Sequence, residues 1–165
     1  MPEGTKFLAY GLDFGFVNDP TALVKVYTHD EDLYIEELIY ETRLTNQDIG
    51  ERLKLLGVQR HEEIIADSAE MKSIEELHRM GFNVKPAKKG QDSVRIGIDL
   101  MKRRRIFVKE TSLETQKEFR NYKWMTDKNG KVLNKPVDLF NHSVDAVRYC
   151  CLNKLLKKTG TYHFR

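Results

Sequence analysis

The chain has 165 residues, 40% of them hydrophobic and 10% aromatic, which suits one packed domain and is short for two. Mean hydropathy is −0.57, 32% of the residues are charged, and no apolar run approaches the ~18–20 residues that a bilayer requires. A membrane span is excluded and a soluble chain is expected. Met1-Pro2-Glu3-Gly4 has neither a charged n-region nor an apolar h-region, so nothing marks export and an intracellular protein is expected. Cys150 and Cys151 are adjacent in a run with helical pattern, which suits core thiols rather than a disulfide framework or a zinc site.

The net charge of +3 conceals a separation of sign. Residues 1–71 hold 6 Lys and Arg against 15 Asp and Glu, residues 72–135 hold 17 against 8, and residues 136–165 hold 5 against 2. An acidic first part packed against a basic middle suggests carboxylates gathered at one place beside a cationic surface, as in a metal-dependent enzyme acting on a polyanion. Ordinary solvated faces give the same counts.

Lys6 to Asp13 reads as a strand, and Thr21 to Thr28 alternates as a second after a turn with Gly15, Asn18, Asp19 and Pro20. Leu33 to Tyr40 is a third, so a three-strand antiparallel meander is expected. Thr45, with Asp48 three residues on, caps a helix carrying Ile49, Leu53 and Leu56 before Gly57. Ile64-Ile65-Ala66 reads as a buried central strand ending at Asp67. Ile74 and Leu77 mark a helix stopped by Gly81, and Val84 to Ala87 a short strand. Val94, Ile98 and Met101 recur at helical spacing up to the charges of Lys102 to Arg105, and Ile106 to Val108 is a further strand. Ser112 to Arg120 is a helix. Tyr122–Met125 and Lys131–Leu133 flank an Asn-Gly turn and predict a projecting hairpin, its base packed by Tyr122 and Trp124. From Asn141, the stripe Val144, Val147, Cys151 and Leu155 predicts a last helix with Lys154, Lys157 and Lys158 near its end. Together these elements give an α/β fold: a mixed sheet, meander plus parallel strands, with helices on both faces.

If the strands ending at Asp13 and Asp67 are parallel neighbours, their carboxylates emerge at one sheet edge, and Asp145, three residues after His142 on the last helix, supplies a third acid. Like charges held together repel unless divalent cations offset them. Two such cations activate water and stabilise the in-line displacement of a phosphodiester. His142 reads as a metal ligand, a proton shuttle or a group orienting Asp145, and equally as a helix cap. Asp19 and Asp138 stand beside proline-marked turns, where Asp is common for local reasons, and are reserve candidates only.

Three stretches closely resemble the nuclease domain of the large terminase subunit of tailed bacteriophages. They are Tyr10-Gly11-Leu12-Asp13-Phe14-Gly15 followed by Asn18-Asp19-Pro20-Thr21-Ala22, then Ile64-Ile65-Ala66-Asp67-Ser68-Ala69, and Asn141-His142-Ser143-Val144-Asp145-Ala146-Val147-Arg148-Tyr149. The resemblance implies a ribonuclease H-like fold of the retroviral integrase superfamily, with Asp13, Asp67 and Asp145 as the metal-binding acids for Mg²⁺ or Mn²⁺ and His142 close to the metals. Asn141 stands where many members place an acid, so no carboxylate role carries over there. Large terminases also carry an ATPase motor, yet no G-x-x-x-x-G-K-[ST] stretch occurs here, so the resemblance implies that residues 1–165 are a single nuclease domain, the C-terminal part of a larger subunit whose motor lies elsewhere. The implied activity is cutting of concatemeric genomes when packaging begins and ends. The implied partners are double-stranded DNA, the ATPase domain, the small terminase subunit and the portal protein, in the cytoplasm of the bacterial host. The hairpin resembles an insertion near the DNA path.

Lys88, Lys89, Arg103, Arg104, Arg105, Lys123, Lys128 and Lys131 are the main candidates for tracking phosphates beside the acids. Three rivals remain open at this point: a Holliday-junction resolvase or transposase on the same fold, a phosphate loop of the actin-like ATPase fold at Asp13-Phe14-Gly15, and a non-catalytic DNA-binding module. The second needs a duplicated half that this length does not supply.

Overall fold

The structure is a computed structural model and describes residues 1–136 and 141–156, except the side chains of Trp124 and of residues 134–136. Asp138, Lys157 and Lys158 lie outside the described residues, as does the side chain of Trp124. The strands are β1 (Lys6–Asp13), β2 (Thr21–His29), β3 (Asp32–Glu41), β4 (Glu63–Ala66), β5 (Asn83–Pro86), β6 (Ile106–Val108), β7 (Trp124–Thr126) and β8 (Val132–Pro136). The helices are α1 (Asn46–Leu55), α2 (Met71–Arg79), α3 (Ser93–Lys102), α4 (Leu113–Asn121) and α5 (His142–Lys154). Thr45 caps α1 with the expected reciprocal bonds to Asp48. Cys150 and Cys151 are buried free thiols. No helix among the described residues is long and apolar enough to cross a membrane.

Six strands form one sheet in the order β5-β4-β1-β2-β3-β6, and β7 and β8 form the separate hairpin. Only β2 runs against the others: it is antiparallel to β1 and β3, while β4 pairs parallel with β1, β5 with β4, and β6 with β3. The C-terminal ends of β1, β3, β4, β5 and β6 therefore share one edge. Leu12 pairs with Ala66, so Asp13 and Asp67 leave that edge side by side.

One face buries Ala9, Val24, Val26 and Ile35 under α5 and Met101 of α3; the other buries Leu12, Leu23 and Ile64 under Ile49 and Leu53 of α1 and Ile74 and Leu77 of α2. On the first face, α5 lies unusually close to β1. A Cβ on Gly11 would stand 2.1 Å from the Ala146 carbonyl oxygen, so only glycine lets the two backbones meet. That approach sets the height of the helix over the strand that bears Asp13. The Gly11→Ala variant is expected to lose about 1–3 kcal/mol of stability through overpacking against backbone that cannot rotate away. Urea unfolding measures this, and an unchanged midpoint would show that α5 has room to lift.

Candidate metal centre

Asp13, Asp67, His142 and Asp145 line one cavity of about 250 Å³, together with Phe14, Asp19, Asn141 and Tyr149. Asp13 ends β1, and Asp67 follows β4, where its amide bonds to the Leu12 carbonyl at 3.2 Å. His142 opens α5, and Asp145 and Tyr149 follow it by three and seven residues, a single stripe of helix surface.

Each carboxylate is engaged by a protein donor. Asp13 is held through both oxygens: Tyr149 donates to Oδ1 at 3.0 Å, and His142 Nδ1 lies 3.1 Å from Oδ2. Asp67 Oδ1 accepts from the Ala69 amide at 2.9 Å. Asp145 Oδ1 accepts from Arg148 Nε at 3.1 Å, and the Arg148 guanidinium in turn sits 4.9 Å from the Tyr149 ring. Among the described residues no three His, Cys, Asp or Glu side chains are gathered as a ready set of metal ligands. The acids share a cleft but are turned onto protein partners, which is how buried like charges lower their repulsion without a cation.

The electrostatics favour an added positive charge. Burial pushes the Asp13 carboxyl up to about 6, and the Asp145 charge adds to the rise against the bonds from His142 and Tyr149. Burial also raises Asp145, with Arg148 opposing. The Asp13 hydrogen bond raises His142, whose other ring nitrogen faces Asp19 Oδ1 at 3.7 Å. Hard oxygen donors with surplus negative charge in a partly buried cleft fit a divalent cation, which would draw Asp13, Asp67 and Asp145 off their present partners.

Residues set aside or missed in the sequence belong here too. Asp19, a reserve candidate at a turn, lines the cavity. Tyr149 and Arg148 are partners of the acids that the helical stripe and the i, i+3 spacing would have revealed. Tyr122, expected at the base of the hairpin, stands two residues before β7 and packs against the core cluster that includes α5, its buried hydroxyl without a hydrogen-bond partner among the described residues.

The basic candidates divide. Lys88 and Lys89 follow β5 at the acid-bearing edge and are exposed, with the Lys88 amide bonded to Asn153 Oδ1. Lys123, Lys128 and Lys131 are exposed on the hairpin segment. Arg103, Arg104 and Arg105 do not lie beside the acids: they precede β6, whose first residue is at the opposite edge. Arg105 makes a bidentate pair with Asp32, and Arg104 bonds the Leu100 carbonyl. The charge run alone could not show this, because the edge depends on strand direction.

The carboxyl of Asp13 makes stability depend on pH. An acid raised from 3.8 to about 6 by folding imposes a penalty that sets in as pH rises through that window and is complete above it. His142, raised by its partner, stabilises below its ordinary pKa and loses that contribution as pH rises through its folded value. In EDTA at pH 8 the Asp13→Asn variant is thus expected to be more stable than the parent by on the order of 2 kcal/mol, the gap closing as pH falls toward 4. Thermal unfolding across this range checks it; a parent chain that is the more stable at pH 8 would contradict it.

Residues 13–152 match the family model described as "Terminase RNAseH like domain". The chain is 34% identical to the terminase large subunit of Bacillus phage SPP1 over 91% of its own length and 36% of that protein. It is 30% identical to the PBSX phage terminase large subunit of Bacillus subtilis (strain 168), over 84% of this chain and 33% of that one. It thus spans about a third of the length of these curated relatives. Among solved structures, the large terminase nuclease domain of bacteriophage SPP1 with bound Mn superposes with a TM-score of 0.77 at 29% identity, covering 87% of this chain and 84% of that one. The match over residues 13–152 and the 34% identity to a terminase large subunit settle the family: the chain belongs to the terminase RNase H-like domain family.

Proposed function

We propose that the chain is a divalent-metal-dependent endonuclease that cuts double-stranded DNA with little sequence preference, acting on concatemeric viral genomes as packaging starts and finishes in the bacterial host's cytoplasm. The observation that carries this reading is the meeting of Asp13, Asp67, His142 and Asp145, remote from one another in sequence, around one cleft. The likeness to a nuclease domain with bound Mn supports it. Asp13, Asp67 and Asp145 are the proposed holders of two Mg²⁺ or Mn²⁺ ions. When bound, such ions activate water and stabilise the attacking and leaving oxygens of a phosphodiester displacement.

The chain's own residues have separate tasks in this scheme. Tyr149 and His142 fix the plane of the Asp13 carboxylate from one helix. Arg148 offsets the Asp145 charge and keeps that side chain in the cleft. His142, its basicity raised by Asp13, sets one ring nitrogen against Asp13 and the other toward Asp19, where it can hand a proton on or off at the cleft. Lys88 and Lys89, with Lys123, Lys128 and Lys131, are the proposed phosphate contacts. The remainder of a large terminase, with its ATPase motor, and the small subunit and portal protein are the proposed partners.

Asp13→Asn, Asp67→Asn and Asp145→Asn are each expected to lose at least ~100-fold in plasmid cutting with Mn²⁺ while remaining folded. Full activity in all three would end the enzyme reading. His142→Ala is expected to cost ~10-fold or more, and an unchanged rate would reduce the histidine to packing. Replacing Lys88 and Lys89 by Gln should weaken DNA binding and flatten its salt dependence, while the same change at Arg103 to Arg105 should leave both unaltered; fluorescence anisotropy at several salt concentrations separates the two sets.

A further inference from the structure

Glu118 is an acid that neither its helix pattern nor any motif singles out. It lies on α4, is 1% exposed, and accepts hydrogen bonds from Tyr40 of β3 and from the first turn of α5. Oε1 accepts from the Tyr40 hydroxyl at 2.8 Å and from the His142 amide at 3.1 Å. Oε2 accepts from the Ser143 amide at 2.6 Å and from the Val144 amide at 3.1 Å. A carboxylate from a neighbouring helix thus takes the first three amides of α5, the donors that a helix start leaves without an intrahelical acceptor.

The position of α4 is fixed in the same way. Glu37 of β3 accepts from the Thr115 amide at 2.6 Å and from its hydroxyl at 2.7 Å, and the Thr115 oxygen lies 3.0 Å from Ser143 Oγ. The Glu37 amide donates to Ser112 Oγ at 2.9 Å. Strand β3, helix α4 and the first turn of α5 are therefore one hydrogen-bonded unit, and His142 stands on its last member.

We infer that Glu118 is a positioning residue for the reaction centre: it pins the first turn of α5 so that His142 and Asp145 face Asp13, and it does so without touching the metal. Its two oxygens accept from four donors on β3 and α5, and its side chain is not among those lining the cleft of Asp13, Asp67 and Asp145, so it is a buried acid next to His142 that acts from outside the ligand set. This rests on the metal-binding reading above, and it deepens that reading by adding a residue that sets where the ligands stand.

The test combines two substitutions with two measurements on the chain as it is. Glu118→Gln keeps an oxygen for the Ser143 and Val144 amides but turns an NH2 toward the His142 amide; Glu118→Ala removes all four acceptor contacts. Hydrogen exchange of the 142–144 amides should be slow in the parent, faster in the Gln variant and fastest in the Ala variant. Mn²⁺ affinity, measured calorimetrically below the unfolding range, should weaken by about tenfold or more in the Ala variant and less in the Gln variant, with the number of ions bound unchanged. At saturating Mn²⁺ the loss should appear in kcat, with KM for DNA held. Unchanged exchange together with unchanged Mn²⁺ affinity in either folded variant would overturn the inference, as would the loss of one bound ion in the Gln variant, which would make Glu118 a ligand. A parent chain that binds no Mn²⁺ would defeat the metal reading instead, and the amide exchange alone would then decide whether Glu118 pins the helix.

Discussion

Everything at the candidate centre depends on one close approach, the backbone of β1 against the backbone of α5 at Gly11 and Ala146. A side chain there would push the helix away by the thickness of a methyl group or more, and the Asp13 carboxylate would part from Tyr149 and His142. A second small residue acts from the other side: a Cβ on Gly97 of α3 would meet Arg148 Cγ at 2.4 Å, so that glycine leaves room for the arginine that pairs with Asp145. The helix is thus set at a height by Gly11, held at its start by Glu118, and flanked at Arg148 by Gly97. Three elements far apart in sequence converge on a few ångströms because two positions lack side chains.

The carboxylates explain why such bracing is needed. Three buried or half-buried acids facing one cleft work against folding unless each finds a donor, and here the donors are Tyr149, His142, the Ala69 amide and Arg148. Burial leaves Asp13 with a carboxyl raised to about 6, a cost that the core carries rather than relieves. Conflict between local preference and global fold of this kind is what a functional site imposes, and the buried apolar faces under α1, α2 and α5 offset it.

Much of this arrangement was readable from the residues. The alternation in Thr21 to Thr28, the short apolar run before Asp67 and the stripe after Asn141 predicted the meander, the central strand and the last helix, and the shared edge for Asp13 and Asp67 followed only on the condition that their strands pair in parallel, as β1 and β4 do. What escaped the sequence depends on tertiary direction. Arg103 to Arg105 read as a cationic patch near the acids, yet β6 begins at the far edge, so their charge faces elsewhere. Asp19 looked like a turn residue and is one, while its carboxylate also reaches toward His142. Glu118 carries no local signal at all, since its role exists only once α4 lies across the start of α5. Tyr149 was the exception that spacing would have caught, because it falls on the same stripe as His142 and Asp145.

The measurement that bears most directly on this account is a crystal structure of the chain grown with Mn²⁺, with the anomalous signal of the metal used to locate each ion. The account predicts manganese in the cleft with oxygens of Asp13, Asp67 and Asp145 in its coordination sphere and Glu118 still bonded to the α5 amides. Manganese absent from the cleft, with the three aspartates still turned onto Tyr149, Ala69 and Arg148, would contradict it.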